Sequence, residues 1–300
     1  MKIFLMAVFA VLVVFANKSD KLVEKALIAG LAPLDAKNNI QNKPEIELGK
    51  KLFFDPRISN SNQISCNSCH NLALGGSNAI SQTAPFNTNV PTIFNVSFDE
   101  EFANLHLLNH FTGDLRVKQS KSLQQNLAFK IATFPLYIID FKKSYGNNME
   151  IDFTSIAQSI GAFQSTLITQ SRYDDFLRGG VRALSKVEQK GLEIFIDKDC
   201  TKCHNGKLLG GKKITFDEFS AYKFAKNFKQ NESLKVPTLR NVTQTAPYFK
   251  NGKVVSLMEA IALMTKQNES LSDDEILKIE AFLNTLEGHK PSIVYPQLPY

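Results

Sequence analysis

The pattern Cys-x-x-Cys-His occurs twice in this chain, as Cys66-Asn67-Ser68-Cys69-His70 and as Cys200-Thr201-Lys202-Cys203-His204, and the two copies use all 4 cysteines. Two residues between the thiols, on a first helical turn, let both sulfurs reach one edge of a flat macrocycle. The histidine, one residue on, then falls beneath its centre. This is the attachment pattern of haem c, in which the thiols add across vinyl groups and the histidine becomes a proximal iron ligand. Zinc is the plain rival for four cysteines in two pairs. Zinc pairs, however, lie about 15–20 residues apart, whereas Cys66 and Cys200 are 134 positions apart and each pair has its own histidine. A redox dithiol needs neither the histidine nor a second copy. The expectation is two covalent haems, one on Cys66, Cys69 and His70, the other on Cys200, Cys203 and His204.

The chain repeats more than the motif. Gly49-Lys50-Lys51-Leu52-Phe53-Phe54-Asp55 precedes the first copy, and Gly191-Leu192-Glu193-Ile194-Phe195-Ile196-Asp197 the second. "VPTIFNV" at 90–96 and "VPTLRNV" at 236–242 follow them, then "HFTGD" at 110–114 and "YFKNG" at 248–252. One long unit present twice means two domains rather than a solenoid. Within the units a helical period prevails: Ile156, Ile160, Phe163 and Leu167 share one face, as do Ile276, Ile279, Leu283 and Leu286. Ser185 with Glu188, and Ser272 with Glu275, have capping-box spacing ahead of apolar runs. Alternating strand patterns are scarce. The expected fold is mostly α: two cytochrome c-like helical domains related by an internal repeat, divided as 17–175 and 176–300.

Residues 1–16 read as a signal peptide. Lys2 heads the apolar run of residues 3–16, which is too short to span a bilayer comfortably, and Val14 and Ala16 suit cleavage after Ala16. Export to the periplasm follows from that reading. An apolar fraction of 43% over 300 residues supports a sizeable core. The formal net charge is +6, with lysines spread along the chain rather than massed. That pattern suits solubility and electrostatic docking and argues against a nucleic-acid partner.

From about Glu45 to Gly288 the chain resembles the bacterial di-haem cytochrome c peroxidase family, which includes the related di-haem enzyme of methylamine utilisation. The stretches "LGKKLFFDPRIS", "SCNSCHNLALGG", "FQSTLIT", "SRYDDFLRGG", "GLEIFIDKDCTKCHNG" and "VPTLRNVTQTAPYFKNGKVVSLMEAIALM" carry the resemblance. It implies a periplasmic enzyme that reduces hydrogen peroxide to water with electrons from a small cytochrome c or a cupredoxin, and a homodimer. The C-terminal haem then accepts electrons and the N-terminal haem binds peroxide. Met264 falls where the family has the sixth ligand of the C-terminal iron. A thioether there favours ferrous iron and raises the potential. Asn89, Thr245 and Pro247 fall where the family holds one calcium ion, and oxygen donors suit that cation.

The middle of the chain departs from the family. The usual Phe-Trp-Asp-Gly-Arg has become "HFTGDLR", and there is no tryptophan at all. The glutamate of the family's Pro-Val-Glu-Met stretch has no counterpart, whether "FPLYI" replaces that stretch or it is deleted. Peroxide heterolysis needs a group that moves a proton between the two oxygens. His106, His110 and Asp114 are the distal candidates, with Gln124 and Gln125 behind them; each also has an ordinary reading as a turn or helix-face residue. The loop of residues 71–89 holds no histidine, methionine or lysine, so the N-terminal iron is expected to rest open unless His106 or His110 closes it. His289 reads as incidental. A non-catalytic di-haem protein that relays electrons or senses a ligand is the alternative.

Overall fold

The computed structural model describes residues 18–35, 42–77, 89–99 and 121–299. The signal reading and the distal candidates His106, His110 and Asp114 lie outside the described residues. Within them the chain is mostly helical, and no helix is long and apolar enough to cross a membrane.

Each half is built on one helix crossing. In the first, α2 (Lys43–Phe54) crosses a later helix, Phe153–Gln164, and buries Leu48, Leu52 and Phe53 against Ile156, Ile160 and Phe163. In the second, Lys186–Asp197 crosses Asp273–Asn284 and buries Leu192 and Phe195 against Ile276, Ile279 and Leu283. Both crossings turn on a glycine. A Cβ on Gly49 would stand 1.7 Å from the Ser159 carbonyl oxygen, and one on Gly191 would stand 1.8 Å from that of Lys278. Only a residue without a side chain lets these backbones meet. Equivalent aromatic pairs close the crossings: Phe53 with Phe163 at 5.3 Å and Phe195 with Phe282 at 5.2 Å between ring centroids. The repeat seen in the sequence is therefore a repeat of packing.

The remaining elements are local. In chain order the helices are α1 (Lys18–Ile28), α2, the single turn α3 (Cys66–Cys69), α4 (Lys121–Ala132), α5 (Pro135–Tyr145), α6 (Phe153–Gln164), α7 (Arg172–Leu177), α8 (Lys186–Asp197), α9 (Phe216–Phe219), α10 (Leu257–Leu263) and α11 (Asp273–Asn284). The expected capping boxes start α8 and α11: the Ser185 and Ser272 hydroxyls accept from Glu188 N and Glu275 N, and both glutamates accept in return from the serine N–H groups. α4 and α5 complete the first core through Leu127, Ile131, Tyr137 and Phe141. α1 lies against α7 and α8 and adds Ala26 to the second core. So residues 18–35, grouped by sequence order with the N-terminal half, pack on the C-terminal one. Strands β1 (Lys213–Thr215) and β2 (Ser233–Lys235) pair antiparallel beside a third small cluster of Ile214, Phe219, Ala225 and Val236.

Candidate haem sites and the junction between them

Both Cys-x-x-Cys-His segments form the same tight turn. The His70 N–H donates to the Cys66 carbonyl at 2.8 Å and the His204 N–H to that of Cys200 at 2.9 Å. Ser65 and Ser68 cap the first turn reciprocally. In each site the ring Nδ1 meets a backbone carbonyl at 3.1 Å, Pro91 for His70 and Leu209 for His204. A carbonyl can only accept, so Nδ1 carries the proton and Nε2 is left as the ligating atom. Burial drives the His204 pKa down to about 4, against the opposing pull of the Leu209 carbonyl. It is held neutral, the form that binds a metal. The same burial pushes the Cys66 and Cys200 thiols up to about 12.

The four thiols form no disulfide. In the second motif they face different apolar groups: Cys200 packs on the second core and Cys203 on the third cluster. Both sulfurs would hold a haem with apolar surface beside each of them. Among the described residues no three His, Cys, Asp or Glu side chains converge on a metal position. A zinc ribbon needs both cysteine pairs at one ion, so the zinc reading fails and the haem reading fits.

Met264 is the C-terminal cap of α10 and is half-buried. It belongs to none of the three apolar clusters, whereas Met258 packs on the second core. The chain just beyond it is tied to the segment that carries Tyr222: Lys223 N–H donates to Thr265 O at 3.0 Å, and Gln267 N–H to Ala221 O at 2.9 Å. Tyr222 and Cys203 pack on the same third cluster. The calcium candidates also come together. The Asn89 side-chain amide meets the Pro247 carbonyl, and the Asn89 N–H donates to Lys250 O at 2.8 Å. Asn89 Oδ1 is buried with no hydrogen-bond partner. The Pro247 carbonyl already accepts from that amide, so the orphaned oxygen and the carbonyl do not form an open donor pair. The Thr245 hydroxyl instead turns back to Val242 O at 3.2 Å. Gln124 is half-buried and Gln125 exposed on α4.

Residues 43–182 match the family model of di-haem cytochrome c peroxidase, and residues 188–287 that of cytochrome c. The chain is 34% identical to cytochrome c551 peroxidase of Nitrosomonas europaea over 86% of its own length and 84% of that protein's. It belongs to the di-haem cytochrome c peroxidase family. A further relative, cytochrome c551 peroxidase of Pseudomonas aeruginosa, is also 34% identical, over 84% of this chain and 81% of that protein. Among solved structures, a MauG-like protein associated with microbial copper homeostasis shares the fold, with a TM-score of 0.66 at 21% identity over 86% of this chain and 93% of that one. Two cytochrome c-type domains, each with its cysteine pair, imply two haem c groups in this peroxidase-type oxidoreductase.

Two features of this family member were not foreseen from its sequence. The first is a buried ion pair, Arg240 with Asp174 at 2.9 Å, both side chains fully enclosed. Arg240 Nε also donates to Lys207 O at 2.9 Å, and Thr238 Oγ1 donates to Leu208 O at 2.7 Å. Together they hold the loop whose next carbonyl, Leu209 O, orients His204. Asp174 Oδ1 accepts from Leu34 N at 2.7 Å, so the same pair fastens the N-terminal segment.

The second feature is a shared oxygen between the halves. Asn95 and Asn241 are equivalent: both have left-handed φ (63° and 58°), both follow a Val-Pro-Thr, and both are buried. Their N–H groups donate to Leu167 O (2.8 Å) and Leu286 O (3.1 Å). Their side-chain carbonyls accept from Thr169 N (2.7 Å) and Gly288 N (2.9 Å). Their side-chain amides then donate to one atom, Thr169 Oγ1, at 2.8 and 2.7 Å. An "FNV" and an "RNV" in the sequence hinted at the pairing; nothing there gave the common acceptor.

Proposed function

We propose that this peroxidase is exported to the periplasm and reduces hydrogen peroxide to two waters with two electrons and two protons, the electrons coming from a small cytochrome c or a cupredoxin. The haem on Cys200, Cys203 and His204 accepts the electrons, and the haem on Cys66, Cys69 and His70 meets the peroxide. The observation that supports this division is the asymmetry of the two halves. Met264 stands free of the cores on the chain fastened beside Cys203's cluster, while the loop of residues 71–89 offers no strong ligand to the first site.

Bound haem iron supplies the redox chemistry and the position at which peroxide is cleaved. The chain's own groups do the rest. His70 and His204 present Nε2, oriented by the Pro91 and Leu209 carbonyls. The Met264 sulfur completes the electron-accepting site and favours its reduced form. His106, His110 or Asp114 moves the proton that peroxide cleavage requires. Asn89, Thr245 and Pro247 hold one calcium ion once the Asn89 amide releases the Pro247 carbonyl. The N-terminal site rests open, and two chains form a homodimer. The domain division lies near residue 175.

Steady-state peroxide consumption with a reduced cytochrome donor tests this reading. Turnover that depends on both haems supports it. Reduction of the haems by the donor with no peroxide consumption sinks it in favour of a non-catalytic electron relay or sensor.

A further inference from the structure

Charge separates the two copies of the repeat. Lysines occur along the whole chain, but acidic residues do not keep pace with them around the second haem motif. From Cys200 to Met264, Lys and Arg outnumber Asp and Glu by 11 to 4; the rest of the chain has 24 against 25. The window of the same length that opens on the first motif, Cys66 to Lys130, is balanced at 4 against 4. The chain's entire positive excess is thus concentrated in the segment that builds the second site. Two copies of one module carry different charge.

The placement of these lysines gives the excess a direction. Cys203 packs beside the half-buried rings of Phe216, Tyr222, Phe224 and Phe228 in the third cluster. Lys212, Lys226, Lys229, Lys250 and Lys253 are exposed and form no ion pair among the described residues. The Lys250 ammonium lies 6.0 Å from the Phe228 ring, so the basic rim adjoins the aromatic patch. In the β1–β2 pair, Lys213 stands directly opposite Lys235. Asp99 pairs with Lys235 at 2.7 Å, so a carboxylate offsets the charge on that strand. An aromatic centre with a charged rim is the anatomy of a protein interface, and a rim of one sign chooses its partner by the opposite sign.

We propose that this face, around Cys203 and the third cluster, is the docking surface for a small electron-donor protein whose own contact surface is acidic. The inference rests on the reading of the second haem as the electron-accepting one and adds the chemistry of its partner. A positive face raises the local concentration and association rate of an acidic donor by about 10- to 1000-fold at low salt. The effect fades as the Debye length shrinks from about 30 Å at 0.01 M to about 8 Å at 0.15 M.

The test uses the holoprotein and two probes, a reduced acidic c-type cytochrome and a reduced basic one of similar potential. Stopped-flow absorbance follows haem reduction without peroxide. The acidic probe should react faster at low salt and lose about tenfold or more in rate constant between about 0.01 and 0.15 M. Lys212→Glu with Lys229→Glu should slow the acidic probe and speed the basic one, while reduction by an uncharged small-molecule reductant stays unchanged. A salt-independent rate for the acidic probe, a faster basic probe, or indifference to the double substitution overturns the proposal. Peroxide consumption driven by a small-molecule reductant is measured in parallel. Its loss refutes the peroxidase reading, and its survival beside an indifferent double variant refutes only the docking surface.

Discussion

Replacing Thr169 with valine removes one oxygen and keeps the shape of the side chain. Thr169 is fully buried, as Asn95 is, and Asn241 is 1% exposed. No water can stand in for the lost acceptor without new space. Both side-chain amides then lose their partner in the same substitution. Each buried, unsatisfied donor costs about 1–3 kcal/mol, so the pair predicts a loss of about 2–6 kcal/mol, reduced where the asparagines shift. Against a total of about 5–15 kcal/mol for a domain this is a large fraction. Urea unfolding of the holoprotein, followed separately at the absorption bands of each haem, measures it. Both transitions should move to lower urea, because each half supplies one of the stranded amides. Thr169→Ser keeps the oxygen and should recover most of the loss. A change below about 0.5 kcal/mol in Thr169→Val, the range of ordinary surface substitutions, or an effect on one haem alone, would refute the reasoning.

Gly49→Ala and Gly191→Ala should each cost about 3 kcal/mol or more, at the upper end of overpacking effects. The added Cβ meets a backbone carbonyl that cannot rotate away, and thermal unfolding reads the result. Acid-acetone extraction should leave the haem colour on the protein with two irons per chain, and Cys200→Ala with Cys203→Ala should leave one; a colourless wild-type chain would end the haem c reading. Met264→Ala should lower the potential of the C-terminal haem and abolish its near-infrared methionine-to-iron band, and a surviving band would identify a different ligand. The as-isolated protein should show a ferric high-spin resonance from one haem. Two low-spin haems that persist in the His106→Ala, His110→Ala double variant would show that another group closes the site.

The elements written into short stretches of sequence were legible. The helical faces of Ile156, Ile160 and Phe163, and of Ile276, Ile279 and Leu283, are all buried, and Leu167 and Leu286, also buried, lie just beyond the helix ends. A 3.6-residue period records directly which side of a helix leaves water. The two capping boxes were readable because their partners are three residues apart. The haem motif was readable because one cofactor edge fixes its spacing. What escaped was long-range. Asp174 and Arg240 are 66 positions apart in the chain and each has an ordinary reading as a surface charge. Gly49 and Gly191 were visible as landmarks, but the carbonyls that exclude a Cβ belong to helices roughly ninety to a hundred and ten positions later. The docking of α1 on the C-terminal half depends on Ala26 and Leu31, whose partners the local pattern does not specify.

Thr169 and Gly288 occupy the same place in the two copies, each giving its N–H to the asparagine of its own half. A Cβ on Gly288 would stand 2.3 Å from the Thr169 carbonyl oxygen, so the backbones nearly touch there. The junction thus behaves like a two-fold axis with room for one side chain. A pair of identical modules could not place threonine on both sides of it. With the hydroxyl on one side and no side chain on the other, the two modules are not interchangeable. Pairing two N-terminal halves would bring two threonines into one seat, and joining two C-terminal halves would leave two amides with no oxygen between them. A single position thereby makes each half fit the other and not a copy of itself.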